Sequence, residues 1–157
     1  MIERALTIRQ PWASAIFLPS GKDIENRSWP PYAAVGQTIA IHAATNWARH
    51  RELAFEKIRR LTGRDLVRAD LPRGAIIGVV RVESIVNATT VADGVLPLLA
   101  PWLEGPWGLV LRDAMAIEPM PCPGRLSLWR LSPGHAAELS ARVKAEQIAR
   151  AYVGRSP

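Results

Sequence analysis

An α+β fold follows from three features of the sequence. Five or six short segments have strand character, helical segments are inserted among them, and the chain closes with a long helical segment. Strand and helix do not alternate regularly. A compact mixed β-barrel of five to six strands, decorated by helices, is therefore favoured over a doubly wound sheet. At 157 residues the chain has the size of one domain with an appendage. Its 48% hydrophobic and 22% charged content supports a packed core and excludes wholesale disorder.

The elements follow in order. Ala5 to Arg9 alternates apolar and polar, so it predicts a half-buried strand with Leu6 and Ile8 inward. Pro11 suits the first turn of a short helix reaching Leu18, with Gly21 as the stop. Asp23 to Arg27 reads as extended and ends at the stiff Trp29-Pro30-Pro31-Tyr32 loop. Gln37 to Ala43 is a further strand, with Ile39 and Ile41 on one face and Ala40 and His42 on the other. From Trp47 to Leu61 the helical period predicts an apolar stripe of Trp47, Ala54, Phe55, Ile58 and Leu61, a Glu56–Arg60 pair opposite it and Gly63 as cap. Gly74 to Val86 is the strongest strand signal. Asn87 to Gly105, with Pro97 and Pro101, reads as loop with one helical turn. Trp107 to Leu111 is β-prone, whereas Pro119, Pro121 and Pro123 argue against a central strand over Ile117 to Gly124. Leu126 to Leu131 is a short strand. Ser132 and Pro133 then open a helix to Val153 whose apolar stripe (Ala136, Leu139, Val143) fades after Lys144. The expected organisation is one barrel domain over residues 1–131 and a helical extension over 132–157.

The formal net charge is +6, and seventeen of the twenty basic residues are arginine. Arginine's planar fork suits bidentate phosphate contacts and stacking on bases. Between Asn46 and Arg81 nine basic residues face four acidic ones, which is either a phosphate-tracking surface or a solvated helix face. Six of the ten aromatics are tryptophan, more indole than so small a domain readily buries, and some are expected around a cleft. A single cysteine, Cys122, excludes an internal disulfide, and with His42, His50 and His135 scattered no metal pattern emerges. No cofactor is expected. Apolar runs fall well short of the roughly 18–20 residues that cross a bilayer, and the N-terminal segment has no signal-peptide character. A cytoplasmic protein without membrane contact is the expectation. Cys122 and Ser127 lack a base at informative spacing and read as packing and loop residues.

Two neighbouring pieces, Leu6-Thr7-Ile8-Arg9-Gln10-Pro11-Trp12-Ala13 and Gly21 to Trp29, carry a more specific signal, the second fitting G-x-K-x-x-E-x-R. Together with Ile41-His42-Ala43, the Gly74–Val80 strand, Gly105-Pro106-Trp107-Gly108, and Pro121-Cys122-Pro123-Gly124 before Leu128-Trp129, they occur in the order of a known pattern. This resembles the activating-signal-cointegrator homology (ASCH) family, whose barrel is PUA-like. The resemblance covers Leu6 to Leu131 and leaves the last helix outside.

The resemblance implies that Lys22, Glu25 and Arg27 meet on a cleft wall with Arg9 or Gln10 nearby; Trp12 or Trp29 is placed to stack on a base, and His42, a further candidate, reads first as a hydrogen-bonded packing residue. The leading expectation is a nucleic-acid-binding domain, for RNA or another single strand, that recognises a base or a modified nucleoside. A Lys–Glu–Arg network that merely ties turn to strand is the structural alternative. An enzymatic alternative is hydrolysis of acetylcytidine, with Glu25 and Lys22 as catalytic groups. The threonine nucleophile of the family's amidohydrolase branch is replaced here by Glu25, leaving Glu25 to activate water and Lys22 or Arg27 to hold the oxyanion. Ribonuclease activity ranks lower. A third reading is a protein-interaction module that uses the C-terminal helix.

Overall fold

A computed structural model of the chain describes residues 1–92 and 101–154. Pro97 and the middle of the expected 87–105 loop lie outside the described residues. Six strands form one mixed sheet: β1 (Arg4–Gln10), β2 (Ile24–Arg27), β3 (Thr38–Trp47), β4 (Ala75–Val86), β5 (Trp107–Pro121) and β6 (Leu128–Arg130). Their order is β2-β5-β4-β3-β1-β6. All neighbours are antiparallel except β1 and β3, where Leu6 lies opposite Ile41. Helices α1 (Trp12–Ala15), α2 (Arg51–Thr62), α3 (Ala88–Ala92) and α4 (Pro133–Val153) fill the connections and the C-terminus.

Curvature comes from breaks in register. The ladder shifts once between β1 and β3, once between β3 and β4, and three times between β4 and β5. Each shift bends its strand and increases the local twist. The curl is large enough for Arg27 on edge strand β2 to donate from Nη2 to the Thr7 carbonyl of β1 at 3.0 Å. Those strands stand four places apart in the sheet order. At roughly 4.8 Å per strand a flat sheet would hold them about 19 Å apart, so the sheet wraps into a barrel with Arg27 as its clasp.

The concave side holds Leu6, Ile8, Ile39, Ile41, Val80 and Leu109, packed with Ala13 and Ile16 from the β1–β2 connection. The convex side carries Ala5, Ala40, Ile76, Val79 and Trp129, covered by Ala136 and Leu139 of α4. A third cluster seats Ile58 of α2 against Ile24, Val110 and Trp102. Strand period thus sends Ala5 and Ala40 to one side and Leu6 and Ile41 to the other, as their alternation requires.

Four expectations need correction. The first helix spans only Trp12–Ala15, because the chain tightens at once: the Lys22 amide returns to the Ala15 carbonyl at 2.9 Å. The second helix begins at Arg51; Trp47 ends strand β3 and meets Phe55 across the turn, ring centroids 6.1 Å apart. Glu56 and Arg60 do not form an ion pair among the described residues. Most instructive is β5, which runs through Pro119 to Pro121. Strand β2 covers β5 only from Trp107 to Val110, so the remainder has an open outer edge where a missing N–H costs no ladder bond. The C-terminal helix starts as its cap predicts: the Ser132 hydroxyl accepts from the His135 amide at 3.2 Å. Its second half is exposed, including Ile148, Tyr152 and Val153. No helix among the described residues is long and apolar enough to cross a membrane.

Candidate functional site

Lys22 sits in the turn before β2, and its long stem folds back over the strand. Its ammonium donates to the Ile24 carbonyl and to Glu25 Oε2, the latter at 2.6 Å. Arg27, two residues along on the same strand face as Glu25, reaches Glu25 Oε1 at 3.3 Å while clasping Thr7. The Lys–Glu–Arg set is therefore assembled. It is also nearly closed to solvent, with Lys22 4% and Glu25 7% exposed. Asp23 stays out of it: its carboxylate faces Arg112 at 4.0 Å, and burial raises its pKa against the opposing pull of its own backbone amide and of Arg112 and Lys22.

Three hollows meet beside this pair, and Trp12 forms part of the wall of each. One, of ≈ 550 Å³, is bounded by Arg9, Glu25, Arg27, Asn46, Arg49 and the Leu126–Ser127 loop among others. A smaller one of ≈ 180 Å³ is lined by Trp12, Lys22, Glu25, Asn26, Lys57, Trp102 and Glu104. The third, of ≈ 480 Å³, links them past Arg49, Lys57 and Arg60. Trp12 and Glu25 belong to both of the first two hollows and so form their partition. The Lys22 ammonium lies 6.0 Å from the Trp12 ring centre, and that of Lys57 lies 6.0 Å from Trp102.

Of the residues expected at the site, the structure brings Arg9, Trp12, Lys22, Glu25 and Arg27 together. Gln10 is placed elsewhere. It is fully buried, donates to Ser14 Oγ at 2.7 Å and to the Pro72 carbonyl at 2.8 Å, and accepts from the Ser14 amide at 3.0 Å. Trp29 stands exposed on its loop and lines none of the three hollows. His42 is sealed on the convex side. Its Nε2 donates to the Cys122 carbonyl at 2.8 Å, its ring meets Trp129 edge-on, and burial lowers its pKa against the opposing effect of that hydrogen bond. With Nε2 donating, Nδ1 carries the lone pair and is left without a partner among the described residues. Cys122 is likewise buried; burial, then the Glu138 charge, raises its pKa and keeps it a thiol.

Sequence reasoning missed Asn26, Arg49, Lys57 and Trp102. Asn26 builds one rim of the small hollow: its Nδ2 donates to the Trp102 carbonyl at 2.8 Å, and its Oδ1 accepts from the Glu104 and Gly105 amides at 2.8 and 3.0 Å. An asparagine inside a strand is a readable signal, because its poor β-propensity implies a side chain bonded to backbone elsewhere. Lys57 and Arg49 are ordinary surface cations until α2 is docked, and Lys57 then pairs with Glu104 across the hollow's mouth.

No family model and no curated protein matches the chain. Solved structures do. The chain is similar to the crystal structure of ASCH from Zymomonas mobilis, at 18% identity and TM-score 0.54, over 88% of this chain and 93% of that one. Two variants of the Zymomonas protein are matched equally well. A tyrosine-to-phenylalanine form is 19% identical with TM-score 0.53 over 88% and 96%, and a serine-to-alanine form is 19% identical with TM-score 0.52 over 88% and 94%. At this identity the likeness is one of fold: the chain has the α+β fold of that Zymomonas ASCH protein.

Proposed function

We propose that the chain is a nucleic-acid-binding domain that recognises a base of single-stranded RNA in the cleft around Trp12. The observation that carries this reading is the position of one half-buried tryptophan, shared by three hollows whose walls supply Arg9, Arg27, Arg49, Lys57 and Arg60. An indole in such a place offers a stacking face, and the surrounding cations offer phosphate contacts. Glu25 supplies discrimination. Lys22 and Arg27 each take one of its oxygens and fix its plane, and the lone pairs left over accept from the amino edge of a base. The ASCH fold of the Zymomonas protein is consistent with this use. The test is RNA binding as a function of salt, read by tryptophan fluorescence. Log affinity falls linearly with log salt, by about 0.7 per phosphate contact. No binding at low ionic strength refutes the reading.

The buried Lys22–Glu25 pair beside the small hollow also favours a second reading, hydrolysis of an N-acylated cytidine. Glu25 would take a proton from water as the hydroxide adds to the acyl carbon, and Arg27 or Lys22 would hold the oxyanion. The C–N bond then breaks and the proton passes from Glu25 to the leaving amine. Acetate release from N4-acetylcytidine, lost in Glu25→Gln, is the positive result. Absence of turnover over a panel of N-acylated pyrimidines removes this reading and leaves the binding domain.

A further inference from the structure

The two hollows that share the Trp12–Glu25 partition differ in character. The small one is charge-balanced and aromatic: Lys22 answers Glu25, Lys57 answers Glu104, and Trp12 and Trp102 supply apolar surface. The larger one is basic, with Arg9, Arg27 and Arg49 against Glu25 alone. Glu25 is already committed to Lys22 and Arg27. Among the described residues no carboxylate lies within ion-pair distance of Arg9 or Arg49. Other described arginines, such as Arg51, Arg59, Arg68, Arg81, Arg112 and Arg142, do have such a partner, and what sets Arg9 and Arg49 apart is that both line the same hollow. Two guanidinium forks left unanswered on one concave surface are what a phosphate requires.

We infer that the site divides its ligand between the two compartments. The base sits in the Trp12–Trp102 hollow, and the phosphate attached to the same nucleoside sits in the Arg9–Arg49 hollow across the partition. The ligand class is accordingly a phosphorylated nucleoside unit, either as a free nucleotide or as one link of a strand, and not an unphosphorylated nucleoside. This deepens the base-recognition reading and rests on it. Arg49 becomes a binding residue that no motif marks, contributed by the turn before α2 instead of by the strand that carries Lys22, Glu25 and Arg27. Arg60, in the connecting hollow that also holds Glu56, is the next cation along the groove.

Calorimetry with the full chain separates the possibilities. The probes are the four ribonucleosides, their 5′- and 3′-monophosphates, and octamers of single-stranded RNA and DNA. For the recognised base, one monophosphate binds about tenfold or more tighter than its nucleoside. An Arg9→Gln/Arg49→Gln variant closes that gap, while Arg130→Gln, on the far end of β6, leaves it open. The gap being closed for the free nucleotide shows the phosphate contact itself. An octamer still tighter than the monophosphate marks a strand as the source, and equal affinities mark a free nucleotide. Nucleoside and monophosphate binding equally, or an unchanged gap in the double variant, overturns the two-compartment assignment while base recognition stands. Failure of every probe at low salt overturns both. Because both arginines are exposed, circular dichroism of the variant matches the parent and a folding defect does not confuse the result.

Discussion

Removing the ammonium of Lys22 strands the Glu25 carboxylate in a buried site with Arg27 as its one remaining cation, at 3.3 Å. Loss of one partner from such a pair is expected to cost about 3 kcal/mol in Lys22→Ala, measured by urea unfolding. Lys22→Met/Glu25→Leu recovers most of that stability without recovering RNA binding, which separates the structural share of the pair from its use. His42 gives a pH dependence of definite sign. Burial lowers its folded pKa below the ordinary 6.5, so the unfolded chain binds the additional proton. Its contribution is present above the ordinary value of 6.5 and is lost as pH falls from there through the lowered folded value. His42→Gln keeps a donor for the Cys122 carbonyl and should flatten the fall in melting temperature between pH 7.5 and 5.5. Asp23 has the opposite sign, its pKa being raised, so its contribution is present below 3.8 and fades as pH rises through the folded value. At this scale the sequence showed Lys22, Glu25 and Arg27 clearly, because one turn and one strand hold them all. It concealed Arg49 and Trp102, which join the site only through tertiary packing.

Between elements, close approach decides which residues are tolerated. A Cβ added at Gly124 would overlap the His42 ring, standing 2.6 Å from Nδ1 and against Cε1. Gly124→Ala therefore pushes the imidazole from the Cys122 carbonyl and costs about 1–3 kcal/mol, read by thermal unfolding, with no direct effect on the hollows. Strand positions were legible wherever alternation met a buried face, as in β1 and β3. The extension of β5 past its prolines was not, because local sequence does not reveal that β2 is too short to cover it. The brevity of α1 has the same origin: a tertiary return of the Lys22 amide ends it, not a weak helical pattern.

For the molecule as a whole, α4 is the element the family pattern does not cover, yet its first half is core. Leu139 is fully buried against the convex side of the sheet, whereas Ile148 is 51% exposed. Leu139→Ala is expected to cost about 3 kcal/mol. Truncation after Lys144 should leave the melting temperature within a few degrees of the parent, and truncation after Leu131 should not, as circular dichroism would show. The sequence foreshadowed this division in the apolar stripe that fades after Lys144. The barrel itself was expected from the element pattern, but the means of its closure was not, since no local pattern states that an arginine on one edge strand reaches a carbonyl four strands away.

That clasp has a consequence for how the protein would feel its cargo. The guanidinium that laces the cylinder shut also stands in the wall of the hollow proposed to receive phosphate, so lodging a guest there and tightening the seam would draw on one side chain. Occupancy should then register as stiffness: amide protons of Ile24 to Arg27 exchange with deuterium more slowly when RNA is present, and Arg27→Ala abolishes that slowing. The molecule would grip hardest where it is hemmed together.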